Sequence, residues 1–122
     1  MAKLPEIVSE AWENRNGAIV LTTVDANGMP NSIYASCTKK FSDEKLTVAD
    51  NFFNKTRANI LAGSKGSYLF ITKDGKAFQI KGTIDYVKEG EIYDFIKADY
   101  QGAVAATVVN VEEVYSGAEK LA

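Results

Sequence analysis

Gly17-Ala18-Ile19-Val20-Leu21-Thr22-Thr23-Val24, followed by Asp25-Ala26-Asn27-Gly28, opens the part of the chain that decides the fold. Residues 18–24 are rich in β-branched side chains, which suit a pleated, half-buried strand. Asp25 to Gly28 is a turn signal, because Asn and Gly tolerate positive φ. A second strand is expected from about Asn31 to Lys39, with Ile33, Ala35 and Cys37 alternating against Tyr34, Ser36 and Thr38. Ser42-Asp43-Glu44 then turns the chain into a third strand, Lys45 to Ala49. Three short strands at these intervals read as an antiparallel meander.

Upstream, residues 5–14 read as a helix, with Pro5 suited to its first turn and Ile7, Val8, Ala11 and Trp12 forming one apolar stripe. Downstream, a helix starts near Asn54, runs from Lys55 to Ala62 and stops at Gly63. Ser67 to Thr72 is a fourth strand, joined through Asp74-Gly75, a hairpin signal, to a fifth from Ala77 to Val87. Gly82 inside that strand marks a bulge or a barrel bend. Glu89 to Tyr100 is amphipathic, Ala103 to Tyr115 is a sixth strand, and the last residues read as a tail. Six strands with inserted helices imply one small antiparallel barrel of the α+β class, a single domain over residues 1–122.

Composition narrows the chemistry. With 122 residues, 46% hydrophobic and 25% charged, the chain is an ordinary globular domain. Fourteen basic against sixteen acidic residues argue against a nucleic-acid binder. There is no histidine, which removes His-based triads, zinc sites with His ligands and haem sites with a proximal His. One cysteine, Cys37, excludes an internal disulfide. No stretch resembles a signal peptide or membrane span, so a reducing, cytoplasmic, water-soluble protein is expected. With so few catalytic side chains, a bound cofactor is the natural seat of any chemistry.

The segment with chemical bias is Asn51-Phe52-Phe53-Asn54-Lys55-Thr56-Arg57-Ala58-Asn59-Ile60. Lys55 and Arg57 fall in a first helical turn, already electropositive from unpaired N–H groups. An anion there resolves the conflict, and Lys55, Thr56 and Asn59 on one helix face suit a phosphate. Lys55 and Arg57 facing solvent is the plain alternative.

Taken together, residues 17–23, Asn27-Gly28-Met29-Pro30, residues 54–60 and Phe78-Gln79-Ile80-Lys81-Gly82-Thr83-Ile84 resemble, in order and spacing, the FMN-binding split barrels. That group includes pyridoxamine 5′-phosphate oxidases and small FMN-binding proteins, and the resemblance covers nearly the whole chain. It implies a six-stranded antiparallel split β-barrel of Greek-key type with flanking helices, forming a homodimer with FMN at the subunit interface. By the same resemblance, Lys55, Thr56 and Asn59 match the phosphate site, with Arg57 as a second cation. Tyr34, Ala35 and Ser36, with Ala49, Asp50 and Asn51, match positions along the flavin ring, contacted largely through backbone.

The chain departs from full pyridoxamine phosphate oxidases, which are longer and carry further C-terminal sequence, and it has no histidine for the substrate contacts of that enzyme. Oxidation of a B6 vitamer is therefore not expected. The resemblance is closer to the small FMN-binding proteins, with electron transfer or flavin-dependent oxidoreduction toward a redox partner or small-molecule substrate. The alternatives are an F420-type or substrate-specific flavin oxidoreductase and a non-catalytic dimeric ligand-binding module of the same fold.

Trp12, Phe70, Phe78 and Phe95 read as core, and Tyr34 as a flavin neighbour or a dimer-seam residue. Of Phe52 and Phe53, one is expected to staple the helix start and the other to cover a ligand or partner. Cys37 reads as a small buried apolar residue, and Glu112-Glu113 as a solvated end.

Overall fold

A computed structural model describes residues 2–122. The elements, in chain order, are α1 (Glu6–Glu13), β1 (Ile19–Val24), β2 (Pro30–Ala35), β3 (Thr38–Ser42), β4 (Lys45–Asp50), α2 (Lys55–Leu61), β5 (Gly66–Ile71), β6 (Ala77–Val87), α3 (Glu91–Asp99), β7 (Ala105–Ser116) and β8 (Glu119–Lys120). All ladders are antiparallel. The strand order is β2-β1-β5-β6-β7-β4-β3, with β8 paired to β7.

This order explains the shape. β2 and β3 are the two outer strands of the path, yet only Ser36 and Cys37 separate them in the chain. A link of that length reaches at most about 11 Å. The sheet must therefore curl until its edges meet, giving a barrel joined by covalent chain rather than by a ladder along one seam. The architecture is the expected α+β split barrel.

The expected strand count of six is corrected to eight among the described residues. The single strand expected from Asn31 to Lys39 is two, and the tail forms β8. The break lies where the inside–outside alternation slips by one residue. Asn31, Ile33 and Ala35 turn inward along β2, but Thr38, not Cys37, is the buried residue that begins β3. Between them the Thr38 N–H donates to the Ser36 carbonyl at 3.1 Å, a tight bend that no ladder tolerates.

Helices close the two ends of the barrel. α1 sits against the β3–β4 turn, where Ser9 Oγ donates to Asp43 at 2.9 Å, and it buries Val8 and Trp12 in the main core with Leu4 beside them. Trp12 Nε1 donates to the Tyr68 hydroxyl at 2.8 Å. Thr38 gives its own hydroxyl proton to the Thr47 carbonyl at 2.7 Å, so Tyr68 must be the donor in its 2.7 Å bond to Thr38. Each polar group threaded through this core thus has a partner, as burial demands. β4 begins beside α1 and ends at Asp50 under α2, which caps the opposite mouth.

A second, smaller core lies outside the barrel, where α3 covers β4 and β7 with Ala49, Ile96, Ala103 and Ala106. β7 is consequently buried on both faces from Ala105 to Val111, which accounts for its nearly unbroken apolar run. Gly82 is the bulge the sequence announces. The register shifts there, and a Cβ on Gly82 would stand 1.7 Å from the Asn110 carbonyl oxygen, so no other residue fits. Phe95 is half-buried rather than core, stacked edge-on against Phe41 with Lys39 Nζ 3.8 Å from its ring centroid.

Candidate functional site

At the α2 end of the seam the edges diverge around a cleft of about 450 Å³. One wall is β2 with Asn31, Ile33, Tyr34 and Ala35; the floor is the Ser36-Cys37 link and Ala49; the other wall is the loop Asn51 to Asn54 with Lys55 and Thr56. Seven sequence-predicted residues therefore share one cleft: Tyr34, Ala35, Ser36, Ala49, Asn51, Lys55 and Thr56. They arrive from three separate stretches of sequence, brought together because the two sheet edges are joined where α2 caps the barrel.

Asp50 and Asn59 are not in the lining. Strand alternation turns Asp50 to the side opposite Ala49 and Asn51, into the barrel mouth, where it is fully buried. Asn59 is also buried, and its Nδ2 donates to Thr23 Oγ1 at 3.0 Å. Thr56 belongs to both settings. It lines the cleft, and its hydroxyl oxygen accepts from Asn31 Nδ2 at 3.1 Å, which leaves its own proton free to donate.

Arg57 is turned away from the cleft onto Asp50, through Nε to Oδ2 at 2.7 Å and an NH2 contact to Oδ1 at 3.0 Å. The Tyr86 hydroxyl donates to the same carboxylate, and so does the Phe53 backbone N–H, at 2.9 Å. Burial by itself would raise the Asp50 pKa, but the Arg57, Tyr86 and Phe53 donors outweigh it and hold the carboxyl below its ordinary 3.8. Burial and the bond to Asp50 push the Tyr86 phenol up, and the same carboxylate raises the Arg57 guanidinium.

Lys55 differs from Arg57. It is exposed at the cleft, with no ion pair or hydrogen bond among the described residues. α2 has only seven residues and no side-chain cap at Asn54, so the charge of the site comes chiefly from Lys55 rather than from a helix dipole. Asn51 Oδ1 is buried without a donor, close to Gly102. Phe53 packs on the main core while Phe52 is 94% exposed on the cleft wall. Tyr34 is 82% exposed.

Sequence reasoning missed Asn31 and Ile33 as cleft residues, and it placed Cys37 in the core, whereas Cys37 is half-buried and lines the cleft. Asn31 carried a signal: it is a polar residue on the inward phase of a strand whose next inward positions are Ile33 and Ala35. Glu112 pairs with Lys65 at 3.2 Å and Glu113 accepts from the Tyr115 hydroxyl, so these two glutamates serve the sheet surface.

Comparison with known proteins places this geometry. The family model for pyridoxamine 5′-phosphate oxidase matches residues 6–117. An uncharacterised protein of Methanocaldococcus jannaschii is 30% identical over 125 residues, covering 95% of this chain and 82% of the other. The crystal structure of HupZ from Group A Streptococcus superposes with a TM-score of 0.80 at 24% identity, covering 93% of each chain. An FMN-binding protein from Syntrophomonas wolfei gives 0.73 at 20% identity, over 93% of this chain and 82% of that one. The same fold recurs in an F420 reductase, at 0.69, and in the heme storage protein HutZ of Vibrio cholerae, at 0.72. At these identities the likeness among solved structures is one of fold.

Proposed function

The chain belongs to the pyridoxamine 5′-phosphate oxidase family, and from that premise we propose that it is an FMN-binding flavoprotein acting in electron transfer or as a small oxidoreductase. The observation that carries the reading is the unpartnered Lys55 at the mouth of a cleft lined by an available Thr56 hydroxyl, by the β2 edge and by the end of β4. The cleft volume lies within the range of about 300–1,000 Å³ usual for cofactor sites. The donor set suits a phosphate monoester: Lys55 supplies the opposing charge and Thr56 a hydrogen bond.

When bound, FMN would supply the electron or hydride chemistry, and the protein would bind, orient and shield it. Lys55 would neutralise the phosphate, and the backbone of residues 34–36 and 49–51 would hold the ring.

We also propose that the working unit is a cytoplasmic homodimer. Support comes from the outer sheet face, where the register aligns Tyr34, Val20, Leu69 and Gln79 in one row, with Tyr34 and Leu69 exposed and no helix laid over them. No helix among the described residues is long and apolar enough to cross a membrane.

The deciding experiment is the visible spectrum of freshly purified protein, repeated after adding FMN and desalting. A retained two-band flavin spectrum, with FMN identified by chromatography, is expected. Retention of deazaflavin F420 in place of FMN would move the reading to the F420-type oxidoreductases. A colourless protein that holds neither would leave a dimeric ligand-binding module.

A further inference from the structure

The residue that ties the cleft to the barrel is one that does not line it. Among the described residues, Phe53 is the only one of residues 51–54 whose backbone N–H finds an acceptor, and that acceptor is Asp50 Oδ1. Both Asp50 oxygens also receive Arg57, which lies two residues beyond Lys55 on α2, and Tyr86 brings in β6. One buried carboxylate therefore joins the end of β4, the loop forming one cleft wall, the helical turn that carries Lys55 and Thr56, and the central sheet. The other side-chain ties of α2 to the barrel, Thr56 to Asn31 and Asn59 to Thr23, are between neutral groups.

We propose that Asp50 is a positioning residue for the anion subsite: it sets where residues 51–56 stand, and so how tightly Lys55 and Thr56 hold the ligand's anionic group. The inference rests on the reading of the cleft given above. Asp50 acts through Phe53 and Arg57 without touching the ligand. Its four donors come from three directions, so the loop and the helical turn move together or not at all. Charge matters more than shape here, because an amide of the same size keeps acceptor capacity at one atom only and presents a donor to Arg57 at the other.

The test compares Asp50→Asn and Tyr86→Phe with the native chain and with Lys39→Met. The last variant breaks an ion pair to Asp99 beneath α3, away from the loop, and controls for general destabilisation. Hydrogen exchange is followed amide by amide well below the melting temperature, and FMN affinity is read by flavin fluorescence. In Asp50→Asn, exchange at the hydrogen-bonded amides of this segment, Phe53 and Ala58, is expected to rise about tenfold or more while β1 and β5 keep their protection, and the FMN Kd is expected to rise about tenfold. Tyr86→Phe, which removes one donor of four, shows a smaller rise in the same segment, and Lys39→Met shows none there.

Unchanged exchange at Phe53 and Ala58 overturns the proposal, as does a rise spread evenly over the barrel, which is the signature of a merely structural role. A local rise with an unchanged FMN Kd also overturns it. If the native protein binds no FMN, the flavin reading fails by itself, and inorganic phosphate, followed through the Lys55 and Thr56 amide shifts, decides the Asp50 question. Shifts that need more phosphate in Asp50→Asn support positioning; equal shifts, or none in the native chain, overturn it.

Discussion

The two helices that close the barrel are held by opposite means. α1 is held by apolar burial, with Val8 and Trp12 against the core and a polar thread from Trp12 to Tyr68 to Thr38 whose donors are all matched. α2 buries Thr56 and Asn59 beside Ile60, is fixed by polar pairs to β1, β2 and β4, and leaves Lys55 unpaired at its start. Apolar contact is non-directional and fills space, which serves stability. Hydrogen bonds and ion pairs fix position and direction, which serves a binding wall. One end of the barrel is built to be closed, the other to hold a loop in a defined place.

Substitution at Trp12 breaks the closed end with the largest expected effect. Trp12→Ala removes a buried aromatic and leaves the Tyr68 hydroxyl without its donor, a loss of about 3–5 kcal/mol by chemical denaturation. FMN affinity of the protein that remains folded should be unchanged, since Trp12 does not line the cleft.

Acid titration separates the two ends next. Asp50 has a folded pKa below its ordinary 3.8, so its stabilising contribution is complete above that value and is lost as pH falls through the lowered folded value. Asp43, at the α1 end, is also lowered, chiefly by the Ser9 hydroxyl, but its side chain is half exposed. Melting temperature followed from pH 6 downward, roughly the neutral end of the carboxylate range, should therefore show a shallower acid decline in Asp50→Asn than in Asp43→Asn. Equal declines would remove the distinction between buried and exposed carboxylates.

Asn59→Ala sharpens the comparison further. Read from the sequence, Asn59 is a phosphate ligand; in the structure it bonds Thr23 inside the barrel mouth. The expected result is a stability loss of about 1–3 kcal/mol from an orphaned partner. Lys55→Ala combined with Thr56→Ala should weaken FMN markedly, and Lys55→Ala alone should do so by about tenfold with stability within about 0.5 kcal/mol of native. Unchanged affinity in the fluorescence titration would defeat the phosphate site. Phe52→Ser gives the smallest change, because its ring is almost wholly in water and the ligand-free melting temperature has nothing to lose.

These residues show what a sequence can carry. The β1, β5 and β6 strands and all three helices were legible because periodicity and turn residues are local signals. The β2–β3 break was not, because Thr38 looks polar and its burial depends on Tyr68, thirty residues away. In the site, Lys55, Thr56 and the strand edges were legible through the resemblance to a family. Asn59, Asp50 and Arg57, which the same resemblance put at the phosphate and the ring, bond instead within the barrel mouth, Asn59 to Thr23 and Arg57 to Asp50. A side chain that bonds a ligand and one that bonds a neighbouring strand are chemically alike until the fold supplies the partner. Phe52 and Phe53 face opposite ways, since two adjacent large aromatics cannot share one side of an extended loop, and Phe53 packs on the main core.

The strand order also governs how the chain reaches this state. Ladder neighbours such as Val20 and Leu69, or Lys45 and Asn110, come from distant parts of the chain, while β2 and β3, neighbours in sequence, do not pair. The N-terminal strands form two separate hairpins, β1–β2 and β3–β4, rather than the expected meander, and the sheet is incomplete until β7 lies between β6 and β4. Such non-local pairing belongs to folding times of about milliseconds to seconds. Without β7, β4 has β3 alone as a ladder partner, and the cleft wall that begins at its end lacks that support.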